Sequence, residues 1–135
     1  MIEKTLQATL ENVPAATAFI EAALEEAGCS MKAQMQIDVA IDELFANIAR
    51  YAYGPAGGEA TIRFELEEAT RTAKITLVDR GVPFNPLEVA EPDTKQAAAE
   101  RKIGGLGIFL VRKTMDGMEY EYRDGCNILT IRKKI

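Results

Sequence analysis

From Ser30 to Tyr51 the chain has the pattern of one long helix, and that helix needs a surface to lie on. Ile37, Ile41, Leu44 and Ile48 recur at three- and four-residue spacing, so a 3.6-residue period gathers them into one apolar stripe. Ser30 stands where a capping hydroxyl belongs, and the pattern runs out near the turn-forming YAYGPAGG. Such a stripe is stable only against a second layer of structure.

The rest of the chain supplies that layer. Ile2 to Leu10 alternates as a strand does, and Asn12 with Pro14 offers a cap and a start for a helix, PAATAFIEAALEEAG, closed by Gly28. EATIRFELEE and TAKITLVDRG, joined by a short turn around Thr70 and Arg71, predict a hairpin, and MEYEYRDGCNILTIRKK predicts another. Residues 85–102 are polar and marked by proline, with at most short helical pieces, as functional or mobile connections often are. Gly104, Gly105 and Gly107 then precede a helix from Ile108 to Met115. This order predicts an α+β fold, a two-layer sandwich with helices on one face of a mixed, largely antiparallel sheet. At 135 residues, 47% of them hydrophobic, residues 1–135 suit a single domain.

Composition narrows the chemistry. The 21 Asp and Glu against 16 Lys and Arg exclude the basic footprint of a non-specific nucleic-acid binder, so direct nucleic-acid contact is not expected. The absence of histidine removes imidazole acid–base chemistry and Ser-His-Asp triads. Cys29 and Cys126 form no Cys-x-x-Cys pair, and reduced thiols in a cytoplasmic core are expected. The apolar runs are broken by charges and the N-terminus lacks a signal-peptide pattern, which predicts a soluble, unexported, cytoplasmic chain with no membrane contact.

Three stretches carry candidate chemistry. Glu43 and Asn47 share one face of the long helix at the edge of its stripe. They suit either a solvated flank or a proton acceptor beside an amide oxygen for a hard cation. Asp38 and Asp42 fall elsewhere and are expected at the surface. DRGVPFNP follows an apolar strand, and Asp79 with Gly81 is ordinary turn chemistry that does not account for Phe84. A carboxylate there, beside an apolar cleft, can accept from an exocyclic amine such as that of adenine, with Gly81 leaving room for the ring. The glycine cluster can be a plain loop-to-helix junction or can open backbone amides to an anion. It lacks the Gly-Lys-Ser/Thr of a Walker A loop, and it lacks the third glycine and the preceding strand of a dinucleotide fingerprint.

Taken in order, ELFAN, DRGVPF and GGLGI resemble the three nucleotide-binding boxes of the GHKL ATPases, the superfamily of gyrase-type, chaperone, mismatch-repair and histidine-kinase ATP domains. Relatives usually read Asp-x-Gly-x-Gly, whereas here Pro83 and Phe84 follow Asp79-Arg80-Gly81-Val82, which resembles the anti-sigma factor serine/threonine kinase branch. The resemblance implies a Bergerat-type ATP-binding fold that uses ATP and Mg2+. It implies Glu43 as general base, Asn47 as magnesium ligand, and Asp79 with Gly81 at the adenine. Gly105, Leu106 and Gly107 would meet the phosphates, beneath a lid from residue 85 to 102; Arg101 and Lys102 at its end could reach the terminal phosphate, but no motif fixes them. It further implies a homodimer, for which the exposed N-terminal strand offers a joining edge, that binds a sigma factor and phosphorylates an anti-anti-sigma factor. The alternative is a non-catalytic switch of the same fold, gated by nucleotide. The chain departs from the pattern at Arg50-Tyr51, where many relatives have histidine, and at Asn127, where threonine often lies near the adenine, with Thr130 three residues on.

Overall fold

The computed structural model describes residues 1–88 and 105–135. Five strands form one sheet: β1 (Ile2–Gln7), β2 (Glu59–Glu67), β3 (Thr72–Asp79), β4 (Gly117–Arg123) and β5 (Cys126–Lys134). Their spatial order is β1-β2-β3-β5-β4, and every neighbouring pair is antiparallel. Three helices, α1 (Val13–Glu26), α2 (Met31–Tyr51) and α3 (Gly105–Thr114), contribute buried side chains to one core with the sheet. Among the described residues no helix is long and apolar enough to cross a membrane.

Local chemistry sets the ends of these elements. β1 stops at Gln7, short of Leu10, because the Asn12 side-chain amide donates to the Gln7 carbonyl at 2.8 Å and a 3-10 turn occupies Leu10–Asn12. Asn12 is therefore not the expected side-chain cap of α1. The first helix closes as expected at Gly28. That residue has φ 73, and the Cys29 N–H reaches back to the Leu24 carbonyl at 3.0 Å. Ser30 caps α2 by accepting from the Ala33 N–H at 3.2 Å. Between β4 and β5, Asp124 and Gly125 both take positive φ, the pairing that a tight type I′ hairpin turn requires.

The core lies between the layers. Ile20 and Leu24 of α1, Ile37, Ile41, Leu44 and Phe45 of α2, and Val111 of α3 meet Ile62, Ile75, Leu77 and Ile131 from the strands. Full burial of each such side chain is worth about 1.5–3 kcal/mol. The opposite sheet face carries polar ladders such as Thr5 with Thr61 and Glu3 with Arg63, and the half-exposed ion pairs contribute at most about 1 kcal/mol each. Cys29 and Cys126 are free and half-buried; Cys29 packs against the core, whereas Cys126, expected there, is not part of it. Asp38 also departs from expectation: its Oδ1 is buried with no hydrogen-bond partner among the described residues, whereas Asp42 is exposed and accepts from the Thr17 hydroxyl of α1.

Candidate nucleotide site

Strand alternation puts Ala73, Ile75, Leu77 and Asp79 on the core-facing side of β3. Asp79 is the last of them and pairs in register with Asn127 of β5. Both are buried, 5% and 6% exposed, so the sheet's inner face ends in a polar pair. Asp79 Oδ1 accepts from the Gly81 N–H and from Asn127 Nδ2, each at 2.9 Å. Asn127 Nδ2 also donates to the Val82 carbonyl at 2.9 Å, while its Oδ1 accepts from the Phe84 N–H at 3.0 Å and from the Tyr120 hydroxyl. The turn after β3 is thus tied to the sheet by side chains.

Gly81 sits against the end of α2. A Cβ there would run into the Ala52 carbonyl, which accepts from the Val82 N–H at 2.9 Å. Packing against Ala52 is thus one reason this position needs glycine. Tyr53 braces the same corner, donating to the Glu59 carbonyl at 2.6 Å and accepting from the Arg80 N–H at 2.8 Å.

Above this floor runs α2. Asn47 is 5% exposed, and neither its Oδ1 nor its Nδ2 has a hydrogen-bond partner among the described residues. One turn earlier, Glu43 Oε1 is likewise buried and unpartnered. Burial pushes the Glu43 carboxyl above its usual range, with the Arg50 guanidinium and the Asn47 amide pulling the other way; the amide acts from nearby, without the geometry of a formed hydrogen bond. Unpaired buried polar groups cost about 1–3 kcal/mol each, so this pair is expected to be satisfied by water, an ion or a ligand.

Glu43 faces α3. That helix starts at Gly105 rather than at Ile108, so Gly105, Leu106 and Gly107 form its first turn and are not a loop before it. A Cβ on Gly107 would overlap the Glu43 carboxyl, and φ at Gly107 is not in the left-handed region. Glycine is needed at 107 for space, not for an unusual dihedral. Gly104, Arg101, Lys102 and all but the first four residues of the expected lid lie outside the described residues; within it, Pro86–Glu88 form a 3-10 turn.

Asn47, Asp79 and Asn127 converge on one cleft, open to solvent, whose lining includes Leu44, Ile48, Leu77 and Leu129 together with Phe84 and Tyr120. An apolar slot with a few convergent polar groups has the form of a small-molecule site, and its carboxylate and amides suit an aromatic amine. The family model described as histidine kinase-like ATPase domain matches residues 6–133.

The chain belongs to this family.

Serine/threonine-protein kinase BtrW of Bordetella bronchiseptica is 28% identical to it over 102 residues, covering 76% of this chain and 71% of that protein. Serine-protein kinase RsbW of Listeria monocytogenes is 28% identical over 108 residues, covering 76% and 68%. Among solved structures, the histidine kinase domain of a blue-light activated histidine kinase from Erythrobacter litoralis superposes with a TM-score of 0.57 at 14% identity, and the match covers 90% of this chain and 60% of that one, which shows a shared fold. In this member of the histidine kinase-like ATPase family, Asn47 and Asp79 line the same cleft, while Glu43, one turn before Asn47 on α2, and Gly107 of α3, which packs on Glu43, are not among its lining residues. Tyr120, which sequence reading did not single out, reaches the cleft from β4. Its signal was the alternation of Glu119, Tyr120, Glu121 and Tyr122, which turns the tyrosines away from the solvent-facing acids.

Proposed function

We propose that this chain is an ATP-dependent protein serine/threonine kinase that also binds a sigma factor, and that its protein substrate is an anti-anti-sigma factor. The observation that carries the reading is the unsatisfied pair on α2, Glu43 and Asn47, beside a cleft floored by Asp79. The names of the relatives support kinase chemistry.

In this reading Asp79 accepts from the adenine amine and the apolar walls hold the ring. Asn47 Oδ1 is a hard oxygen with no protein partner among the described residues, which fits a magnesium ion that keeps its remaining positions for water and phosphates. Magnesium there would neutralise phosphate charge. The first-turn amides of α3, where Gly105, Leu106 and Gly107 lie, suit the phosphate oxygens. A serine hydroxyl oxygen attacks the γ-phosphorus, the bond from that phosphorus to the β–γ bridging oxygen breaks, ADP leaves, and the hydroxyl proton passes to Glu43. A carboxyl raised by burial is a better acceptor than a solvated one. β1 lies at the sheet edge with five of its six residues exposed, which suits a homodimer joined along that strand.

A second reading, a switch in which nucleotide only sets the grip on a partner, is favoured by the cover that Gly107 places over Glu43. The two part on Glu43→Ala. A kinase retains ATP affinity and loses phosphate transfer to anti-anti-sigma domains by about 10²–10⁴-fold, the range for a positioned general base. ATP affinity that collapses with turnover makes Glu43 structural. A parent that phosphorylates no such domain yet releases its partner on nucleotide exchange is the switch.

A further inference from the structure

Asn127 spends its whole side chain on the protein. An amide offers two donor hydrogens and two acceptor lone pairs. Here the hydrogens go to Asp79 Oδ1 and the Val82 carbonyl, and the lone pairs to the Phe84 N–H and the Tyr120 O–H. The Phe84 N–H can only donate and the Asp79 carboxylate can only accept, so the two ends of the amide are fixed. Three of the four bonds run to the segment from Asp79 to Phe84 and the fourth runs to β4. Nothing is left over for a ligand.

Asp79 Oδ1 is held by two donors, Asn127 Nδ2 and the Gly81 N–H. Its second oxygen makes no hydrogen bond to a described residue, and Asp79 lines the cleft. We propose that Asn127, oriented by Tyr120, is a positioning residue that makes the cleft selective for a 6-amino purine by locking the Asp79 carboxylate in one rotation. This deepens the nucleotide reading above and rests on it. A locked oxygen accepts from an exocyclic amine and meets a 6-keto oxygen as acceptor against acceptor. A carboxylate offers only acceptors in any rotation, but one free to swing away, on a turn free to shift, holds the amine less closely and repels the keto oxygen less, so it discriminates less.

Tyr120 suits the task because its proton stays in place. Burial pushes its phenol up, and the charges of Asp79, Tyr122 and Glu88 push the same way while the Phe84 N–H opposes them. The hydroxyl remains a donor across the neutral range.

The test uses ATP and inosine triphosphate, which carries a 6-keto group, with affinities measured by calorimetry on the full chain near pH 5.5 and pH 8. The parent is expected to prefer ATP at both. In Asn127→Asp an acceptor replaces the donor facing Asp79, so ATP affinity at pH 8 falls by about tenfold to a hundredfold, as for a lost bond to a charged group. It recovers toward the lower pH, because burial and the Asp79 charge beside it raise the new carboxyl and let it regain a proton to donate. Tyr120→Phe keeps the ring and loses one hydroxyl; its preference for ATP over inosine triphosphate narrows, and this milder variant decides the matter if Asn127→Asp does not fold. Variants that keep the parent's affinity and preference, or that lose both nucleotides equally with no pH dependence, overturn the positioning role and leave the nucleotide reading standing. A parent that binds neither nucleotide overturns both.

Discussion

Gly107 and Glu43 make a contact that neither residue explains alone. Glycine in a helix costs about 1 kcal/mol against alanine, yet a methyl at 107 would run into the Glu43 carboxyl. Gly107→Ala is therefore expected to destabilise the protein by about 1–3 kcal/mol, the range for overpacking. In a Glu43→Ala background the same change becomes neutral or favourable. Denaturant unfolding of the two single variants and the double variant measures this, and equal effects in both backgrounds would remove the contact. Asn47 yields a second residue-scale prediction. Its orphaned amide oxygen is the proposed magnesium ligand, so magnesium should strengthen ATP binding in the parent and barely do so in Asn47→Ala. Titration with and without chelator reads the difference. Glu43 and Asn47 were legible in the sequence as a pair on one helix face, because a 3.6-residue period needs no tertiary information. The reason for Gly107 was not legible, since its neighbour lies on another helix.

At the scale of elements, the α1–α2 junction holds a carboxylate in an unfavourable place. The Asp38 carboxyl is raised to about 6 from 3.8, first by burial, then by the Glu21 charge and hydrogen bond, then by the Asp42 charge. An acid raised on folding holds its proton more tightly in the folded state. Its stabilising contribution is present in full below pH 3.8, is lost as the pH climbs to about 6, and is level above that. Asp38→Asn should therefore gain on the parent in melting temperature between those limits and hold a constant advantage beyond them. Parallel melts across that range check it, and an advantage that does not grow with pH would show the junction to be well solvated. The helices themselves were plain from spacing, Ser30 and Gly28. Their contact was not, because Thr17, Glu21, Asp38 and Asp42 meet only when two helices pack.

One core joins the three described helices to the sheet, and this bears on how the whole molecule responds to ligand. The described elements should melt in a single cooperative step, and a nucleotide that binds only the folded chain should raise its midpoint. At a ligand concentration of about one hundred times the dissociation constant the gain is about 2.7 kcal/mol. Thermal melts with ATP and magnesium against melts with inorganic phosphate give the measurement. A midpoint that ATP leaves unmoved would count against the cleft as a nucleotide site.

The sequence alone determined the element order, the hairpins, the two-layer class and the face of α2 that bears Glu43 and Asn47, because each follows from a local period, a cap or a turn residue. It also marked Asp79 as a strand-end acid, while its place on the core side became plain only from the burial along β3. Only the tertiary structure decided that Asn127 and Tyr120 tie the turn after β3, that Gly81 makes way for Ala52, and that Gly107 makes way for Glu43. Each of these is an encounter between residues distant in sequence, and excluded volume and hydrogen-bond direction act between side chains only once packing has brought them together.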